Sequence, residues 1–534
     1  MEAEETVGIK ARSVLWYLTF VGFAMNYMIR INVNIAIVDM ISAEFKGGKS
    51  VEAMSECHTF VNSTNETFYH ISHDERNDDF DNEKNYISLE RRLLDFIGVE
   101  YERDGFKWNS QAQNEVLGAF FILHWMTQLP GGILAAKYGT KLIFGLANFI
   151  GCVTCMLVPI TAYFSIRAVI ILRLLQGIVA GAAWPAMNHL VGRWIPPNER
   201  SKFVTAYMGS SIGVAITYPV FGFIMQSSSW ENVFHFCGIV GTIWYVAWLY
   251  FVYDMPEQHP RIHPKEKEYI LKSLGSSVVR GDKTNLKVPW KEILTSRATW
   301  MNIIAQWGGV WGLFTLIAQA PSYFRLVHGW GIEMTGILSG LPHLLRVIFS
   351  LVVSTLCDHL LANNKMSRTN VRKLAAFMSL IMNGFFVIGL AFSGCHVILA
   401  VALLTISLML HGAVSSGALA SVVDISPNFA GISLGINSSF SVLTGFISPL
   451  IVGYLTNGRQ SSIEPWKYVF EICAAMQIIC GIFYLLFSDS SLQDWNKPQN
   501  LPQYALTSGA VVKKMENVSD THCKEIHPEE KRLS

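Results

Sequence analysis

The sequence predicts an all-α membrane protein of twelve transmembrane helices, arranged as two parallel six-helix halves. Three observations predict it. Hydrophobic residues occupy 51% and charged residues 15% of 534 positions, and the mean hydropathy is +0.32, a balance suited to lipid and not to a soluble chain. Long apolar runs recur between short polar breaks. A polar segment near the middle of the chain divides those runs six and six.

A helix needs about 20 mostly apolar residues to cross a hydrocarbon core roughly 30 Å thick. Runs of that length fall at Val14–Val38, Val116–Ala136, Leu142–Tyr163, Ile166–Leu190, Phe203–Met225 and Val233–Tyr253. Six more fall at Trp300–Tyr323, Met334–Leu356, Leu374–Phe392, Val397–Gly417, Gly431–Leu455 and Tyr468–Phe487. No small-residue cleavage site interrupts the first run, so it reads as a retained span and not a signal peptide. The organisation that follows is a cytosolic N-terminus (1–13), a first half (14–253) holding an outer loop (40–115), an inter-half linker (254–298), a second half (299–488) and a tail (489–534).

Orientation follows from the loops that hold Lys and Arg. Lys10/Arg12, Lys137/Lys141, Arg193/Arg200/Lys202, Arg261–Arg297, Lys365–Lys373 and the tail alternate as they would with both termini cytosolic. The loop after the first span is acidic (Asp74, Glu75, Asp78, Asp79) and carries Asn62-Ser-Thr and Asn65-Glu-Thr, acceptors for N-glycans on the extracytosolic side. The same three-residue pattern at Asn517 in the tail shows how cheap a lone sequon is.

The composition also excludes. With 41 basic against 40 acidic side chains there is no basic surface for nucleic acid. The nine cysteines form no paired C-x-x-C pattern and read as small apolar side chains, so neither a metal nor another cofactor is expected. No G-x-x-x-x-G-K-[ST] loop, H-E-x-x-H or G-x-S-x-G string supports ATP-driven pumping or hydrolysis.

An internal repeat is visible without gaps. A shift of 230 residues superimposes Pro197 on Pro427 and Pro219 on Pro449, and also pairs Ile195 with Ile425 and Ser211 with Ser441. Prolines coinciding twice in one register mark the same loop entry and the same helix bend in each half. Halves of six spans running in the same direction form the parallel arrangement of the major facilitator fold, with substrate held between them near the midplane.

A charge deep in a span costs at least about 2.5–3.5 kcal/mol, so each one needs a cavity or a partner. Arg30 lies past the centre of span one, beside Asn26, Tyr27, Asn32 and Asn34. A permanently charged guanidinium that forks onto oxygens reads as an anion ligand; the alternatives are snorkelling or a pair with Asp39. Arg173 in span four is the second candidate, either an anion ligand or a helix-packing lock through Gln176. His124, His189, His343 and His411 also fall within or near spans, where a neutral, hydrogen-bonded imidazole is the ordinary state. Spans four and ten hold no carboxylate before Asp424. Gly131–Lys141 forms the cytosolic turn between spans two and three, and Ser354-x-x-x-Asp358 is expected at the matching turn of the second half, a paired position for a gating hinge that involves Lys141 and Asp358. Pro264–Leu274 is expected to form an amphipathic surface helix.

Several strings together resemble one family over Tyr17–Trp495. They are Arg30-x-Asn-x-x-x-Ala36-Ile-Val-Asp39, Thr127-Gln-Leu-Pro130-Gly-Gly, Arg173-x-x-Gln176-Gly, Trp194-Ile-Pro-Pro197-Asn-Glu199-Arg200, Asp424-Ile-Ser-Pro427 and Trp466-x-Tyr-Val-Phe470. The set resembles the anion:cation symporters of the major facilitator superfamily, the sialin, vesicular glutamate and sodium/phosphate cotransporter group. Tyr138-Gly-Thr-Lys and Ala183-Trp-Pro-Ala look most like its insect inorganic phosphate cotransporters.

The resemblance implies a transporter rather than an enzyme, working by alternating access on a small anion. It places Arg30 and Arg173 at substrate-binding positions, with Asn26 and Tyr27 beside them, and Asn188 and His189 at coupling positions. Three departures matter: Ala180 where proton-coupled members have Glu, Asn188 where many have His, and Gly309 where the vesicular glutamate transporters have Arg. Sodium-coupled uptake of phosphate or a small carboxylate is therefore the expectation, with proton-coupled or passive transport and a flux-less anion sensor as alternatives. Asn26, Asn34, Ser415, Ser416 and Asn437 supply neutral oxygens of the kind sodium prefers. No acidic dileucine signal marks the termini, so the cell surface is expected over lysosomes or vesicles. Apart from substrate and lipid no partner is implied, and a monomer is expected to function.

Overall fold

The structure is a computed structural model that describes residues 10–41, 55–57, 89–97, 105–196, 199, 203, 205–274 and 288–496. Asn62, Asn65, most of the acidic loop and the tail lie outside the described residues. Among the described residues, ten helices are long and apolar enough to cross a membrane, and two bent pairs raise the number to twelve when each pair is one span. Spans two and three are the bent ones, Ser110–Gln128 with Pro130–Tyr138 at 57° and Thr140–Cys155 with Val158–Phe164 at 47°. Proline explains both: Pro130 lies inside the first, and Pro159 opens the helix after the second bend.

Span one runs Ala11–Met40 without a break, past the apolar run at both ends, and Asn26, Asn32 and Asn34 lie among its buried residues. Spans four to six are Ile166–Val191, Thr205–Ser227 and Trp230–Phe251. The second half comprises Arg297–Leu326, Ile332–Ala362, Arg368–Ala391, Val397–Ile425, Ala430–Thr456 and Ile463–Phe487. Pro219 and Pro449, the residues that the 230-residue shift superimposes, both lie inside helices, in spans five and eleven.

The two ends of the molecule differ. The linker face carries the start of span one, helix Pro264–Leu274 and the chain after span twelve. At the opposite face one apolar core unites the halves, joining Phe121 and Tyr218 of the first to Phe314 and Ile317 of the second. Toward the linker face the cores are separate. Phe23, Phe144, Leu190 and Trp248 pack within the first half, Ala376 with Leu380 and Val353 with Val371 within the second. Polar bonds reinforce the union at the opposite face. Gln319 donates to Asn114 at 2.7 Å, Tyr218 to the Ile317 carbonyl at 2.7 Å, and the Ser110 and Thr456 hydroxyls lie 2.5 Å apart.

Helix Pro264–Leu274 docks on the first half through buried Ile270 and through Glu266, which accepts from the Ala11 amide at 2.9 Å and from Arg12 Nε at 3.0 Å. Arg12 also pairs with Glu199, which accepts from the Tyr269 hydroxyl at 3.2 Å.

Three expectations need correction. Ser354 and Asp358 do not lie in a turn: helix Ile332–Ala362 runs through both, and the turn follows, with Asn364 at φ +50°. The loop of residues 40–115 contains a helix of its own, Leu89–Ile97, and span two begins as early as Ser110. The cysteines are not all plain apolar fillers. Cys57 is bonded to Cys395, 338 residues away, while Cys152, Cys155, Cys237, Cys357, Cys473 and Cys480 are free and buried. Glu56 accepts from the Ile463 amide at 2.8 Å, so this piece of the outer loop is pinned to the second half.

Candidate functional site

The shared apolar core of the halves lies toward one end, and a cavity of about 880 Å³ lies between them. It runs from Tyr27, Arg30 and Phe314 in the interior to Ile133, His189, Val423 and Gly431 at helix ends on the linker face. Beyond Arg30, toward the opposite face, lies a void of about 10 Å³ bounded by Phe121, Ile317 and Pro449. That is room for about one water. The passage is sealed above Arg30 and accessible below it.

The cavity walls carry two permanent charges, Arg30 from the first half and Arg346 from the second, and no carboxylate among the described residues. Arg30 is 5% exposed, with Nη2 at 3.3 Å from His124 Nε2 and 3.5 Å from Asn26 Oδ1. Its Nε has no partner. The Tyr27 ring lies 4.6 Å from the guanidinium, and the Phe120, Phe121 and Phe314 rings lie within 5.9 Å. A cation held by ring faces, a neutral imidazole nitrogen and an amide oxygen keeps its charge uncompensated. The alternative pairing with Asp39 fails on geometry: Asp39 is exposed and nine residues further along the same helix, about 13 Å by helical rise.

Arg346 stands in the middle of span eight. Its Nη1 donates to Ser211 Oγ of span five at 3.0 Å, a bond across the halves. Arg346 does not figure among the sequence-derived candidates, although a lone charge inside the Met334–Leu356 run is the same signal that singles out Arg30.

Arg173 does not reach the cavity. It is fully buried, and its guanidinium donates to the carbonyls of Ile29 at 3.0 Å and Arg30 at 3.1 Å, and to Gln176 Oε1 at 3.1 Å. The packing-lock alternative describes this geometry: Arg173 fixes span four to the backbone that carries Arg30. Phe120 separates the two cations, its ring 5.5 Å from Arg30 and 5.0 Å from Arg173. Asn26 backs Arg30 from behind and is fully buried, whereas Tyr27 lines the cavity.

Of the expected coupling and gating residues, His189 lines the mouth, its Nδ1 3.3 Å from Thr140 Oγ1. The side chain of Asn188 lies outside the described residues. Lys141 sits at the tight turn between spans two and three. Its amide donates to Asp254 Oδ1 at 2.8 Å and its ammonium lies 4.1 Å from the Tyr253 ring. Gly139 makes the turn possible, at φ +91° and with no room for a Cβ beside the Asp254 carboxylate. Asp358 is exposed, on the lower turns of span eight. The neutral oxygens expected for sodium are dispersed. Ser415 and Ser416 bond to Ser350 and Ser354, Asn34 donates to Tyr218, and Asn437 keeps both amide atoms unpartnered.

Two membrane-spanning halves around a central cavity, sealed at one end and open at the other, define a carrier. The sequence profile of the Major Facilitator Superfamily matches residues 19–371, and the chain belongs to that family. Its relatives include sialin of Ovis aries, 33% identical over 91% of this chain and 90% of that protein. A Drosophila melanogaster protein provisionally named an inorganic phosphate cotransporter is 31% identical over 92% of this chain and 87% of that one. Vesicular glutamate transporter 2 of Homo sapiens is 29% identical over 92% of this chain and 76% of that one. Among solved structures, a bacterial homologue of the lysosomal transporter Spinster superposes with a TM-score of 0.59 at 13% identity, over 90% of this chain and 97% of that one. That likeness concerns the fold alone.

Proposed function

We propose that this chain is a secondary active carrier of a small anion, inorganic phosphate or a small carboxylate, driven by a cation gradient. One observation carries the reading: a central cavity whose permanent charges are two arginines from opposite halves, with no carboxylate among the described residues to neutralise them. Two uncompensated guanidiniums in a low-dielectric cavity are tolerable only when an anion joins them. The names of the relatives, sialin and glutamate and phosphate transporters, support the same class. Alternating access follows from the sealed and open ends: rocking the halves opens the Phe121–Phe314 seal and closes the mouth at His189 and Val423.

The mouth faces the cytosol in this reading. The Lys and Arg of the linker-face loops support it, as does the Cys57–Cys395 disulfide near the opposite face, since such bonds persist in oxidising compartments. The test is uptake of phosphate, glutamate, urate and sialate by proteoliposomes, with sodium and proton gradients imposed separately. Concentrative uptake of one of the four is expected; binding without flux under either gradient would replace the carrier by a sensor.

A further inference from the structure

Among the described residues three histidines line the cavity, and backbone carbonyls fix where His124 and His411 carry their basic lone pairs. A backbone carbonyl accepts and never donates, so the ring nitrogen facing one holds the proton. His124 faces the Gly177 carbonyl with Nδ1 at 3.1 Å, leaving Nε2 as the acceptor, and that lone pair is used by Arg30 at 3.3 Å and Gln128 at 3.2 Å. His189 lies at the mouth, half-buried, with Nδ1 bonded to Thr140. His411 differs from both. Its Nε2 lies 3.0 Å from the Gly309 carbonyl and must carry the proton, so its basic nitrogen is Nδ1. That nitrogen has no partner, although the residue is only 2% exposed. His343 Nδ1 and both nitrogens of His328 are likewise unpartnered, but of these three histidines His411 is the one that lines the cavity, where its free lone pair can take a proton.

The first α-helical stretch of span ten, Val397–His411, ends at His411, and Gly412 lies so close to span eight that a Cβ there would stand 2.4 Å from the Arg346 carbonyl. His411 therefore sits beside Arg346. Facing it from span eight are Arg346 and His343, and from span seven the uncharged Gly309. Across the cavity the first half presents Tyr27, Arg30, His124, His189 and Tyr207. No carboxylate stands among these groups. A proton on Nδ1 would be a third positive charge in a cavity that already holds two, whereas an anion seated on Arg346 attracts that proton directly. Anion and proton then each tighten the other's binding by the same factor.

We infer that His411 Nδ1 is the proton-binding site that couples anion transport to proton transport, in a cavity with no carboxylate among the described residues. The inference rests on the anion-carrier reading above. A proton from the solvent in the open mouth binds Nδ1 as the anion settles on Arg346. The pair crosses as the halves rock, and Nδ1 returns its proton to the solvent on the other face when the anion leaves.

The measurement uses the intact chain in proteoliposomes and the four anions phosphate, glutamate, urate and sialate. A proton gradient, acid on the uptake side, is expected to drive concentrative uptake at equal sodium on both sides. Half-saturation for sialate, which stays ionised throughout, should improve about tenfold per pH unit of acidification if one proton binds per anion. In His411→Asn, whose amide retains a donor for Gly309, the proton-gradient drive and the pH dependence should disappear, while His124→Gln keeps the pH dependence whatever its rate. Should sialate not be a substrate, the gradient arms with the other three anions decide. Accumulation driven by sodium alone, or unchanged proton-driven accumulation in His411→Asn, overturns the inference and leaves the anion carrier standing. If His411→Asn does not fold, pH-independent uptake by the unaltered chain overturns it equally. Transport of none of the four anions under any gradient contradicts the carrier reading itself and this inference with it.

Discussion

At the scale of single residues, three arginines in two adjoining layers do different work, and substitution separates them. Arg30 and Arg346 line the cavity, so on the proposed reading truncation removes charge-assisted bonds to the anion, each of the order of 1.5–3 kcal/mol. Arg346→Gln is expected to raise the half-saturating concentration about ten- to hundredfold in a radiolabel uptake assay with little change in thermal stability. Arg30→Ala should abolish uptake, and Arg30→Lys should restore part of it, because a point charge replaces the fork without its geometry. Arg173 makes no cavity contact, and its bonds go to the Ile29 and Arg30 carbonyls. Arg173→Leu should therefore lower the melting temperature of the detergent-solubilised protein and lose uptake together, a pairing that Arg346→Gln should not show. The sequence marks Arg30 and Arg173 alike, as lone charges in apolar runs. Only the fold distinguishes them, since whether a helical arginine meets a cavity or a neighbouring backbone depends on helix rotation, which an all-round apolar span does not encode.

At the scale of elements, spans two, five, seven and eleven form the seal at the opposite face. The Ser110 and Thr456 hydroxyls are close enough that cysteines at both positions should cross-link under mild oxidation. Uptake by the Ser110→Cys/Thr456→Cys protein should stop on oxidation and recover on reduction, while the unaltered chain, treated identically, serves as the control. An oxidised, cross-linked carrier that transports at full rate would mean that this seal need not open.

His328, between spans seven and eight, is packed against Tyr323, Phe324 and Trp330 with no partner for either ring nitrogen. Burial pulls its pKa from the usual 6.5 down to about 4. Above pH 6.5 both folded and unfolded states hold it neutral. Below that the unfolded chain takes a proton that the fold rejects, so stability falls as pH drops toward 4, by about 2 kcal/mol at pH 4.5. The melting temperature should decline over that window, and less steeply in His328→Asn. Elements were read unevenly from the sequence. The spans were legible because length and apolarity dictate them, and the Pro219/Pro449 repeat because proline bends a helix wherever it lies. The turn assigned to Ser354 and Asp358 was not, because Cys357, Leu360 and Leu361 continue a good helix to Ala362 and nothing before Asn363 stops it. The Cys57–Cys395 bond was invisible for a different reason: nothing local links positions 338 residues apart among nine cysteines.

At the scale of the whole molecule, function depends on an asymmetry that composition alone does not contain. The chain is electrically almost neutral, at +1 overall, yet its central cavity holds two permanent positive charges and no negative one among the described residues. The basic loops and acidic outer loop account for the overall balance; the two cavity arginines, Arg30 and Arg346, stand apart from it, and the proposed anion between them is what would offset their charge. The measurement closest to that claim is counterflow of labelled phosphate, glutamate, urate and sialate into proteoliposomes preloaded with the same unlabelled anion, with no ion gradient imposed. The account predicts counterflow of at least one of the four by the unaltered chain and none by the correctly folded Arg30→Ala/Arg346→Ala protein. Undiminished counterflow in that double variant, or none of any anion in the unaltered chain, would contradict it.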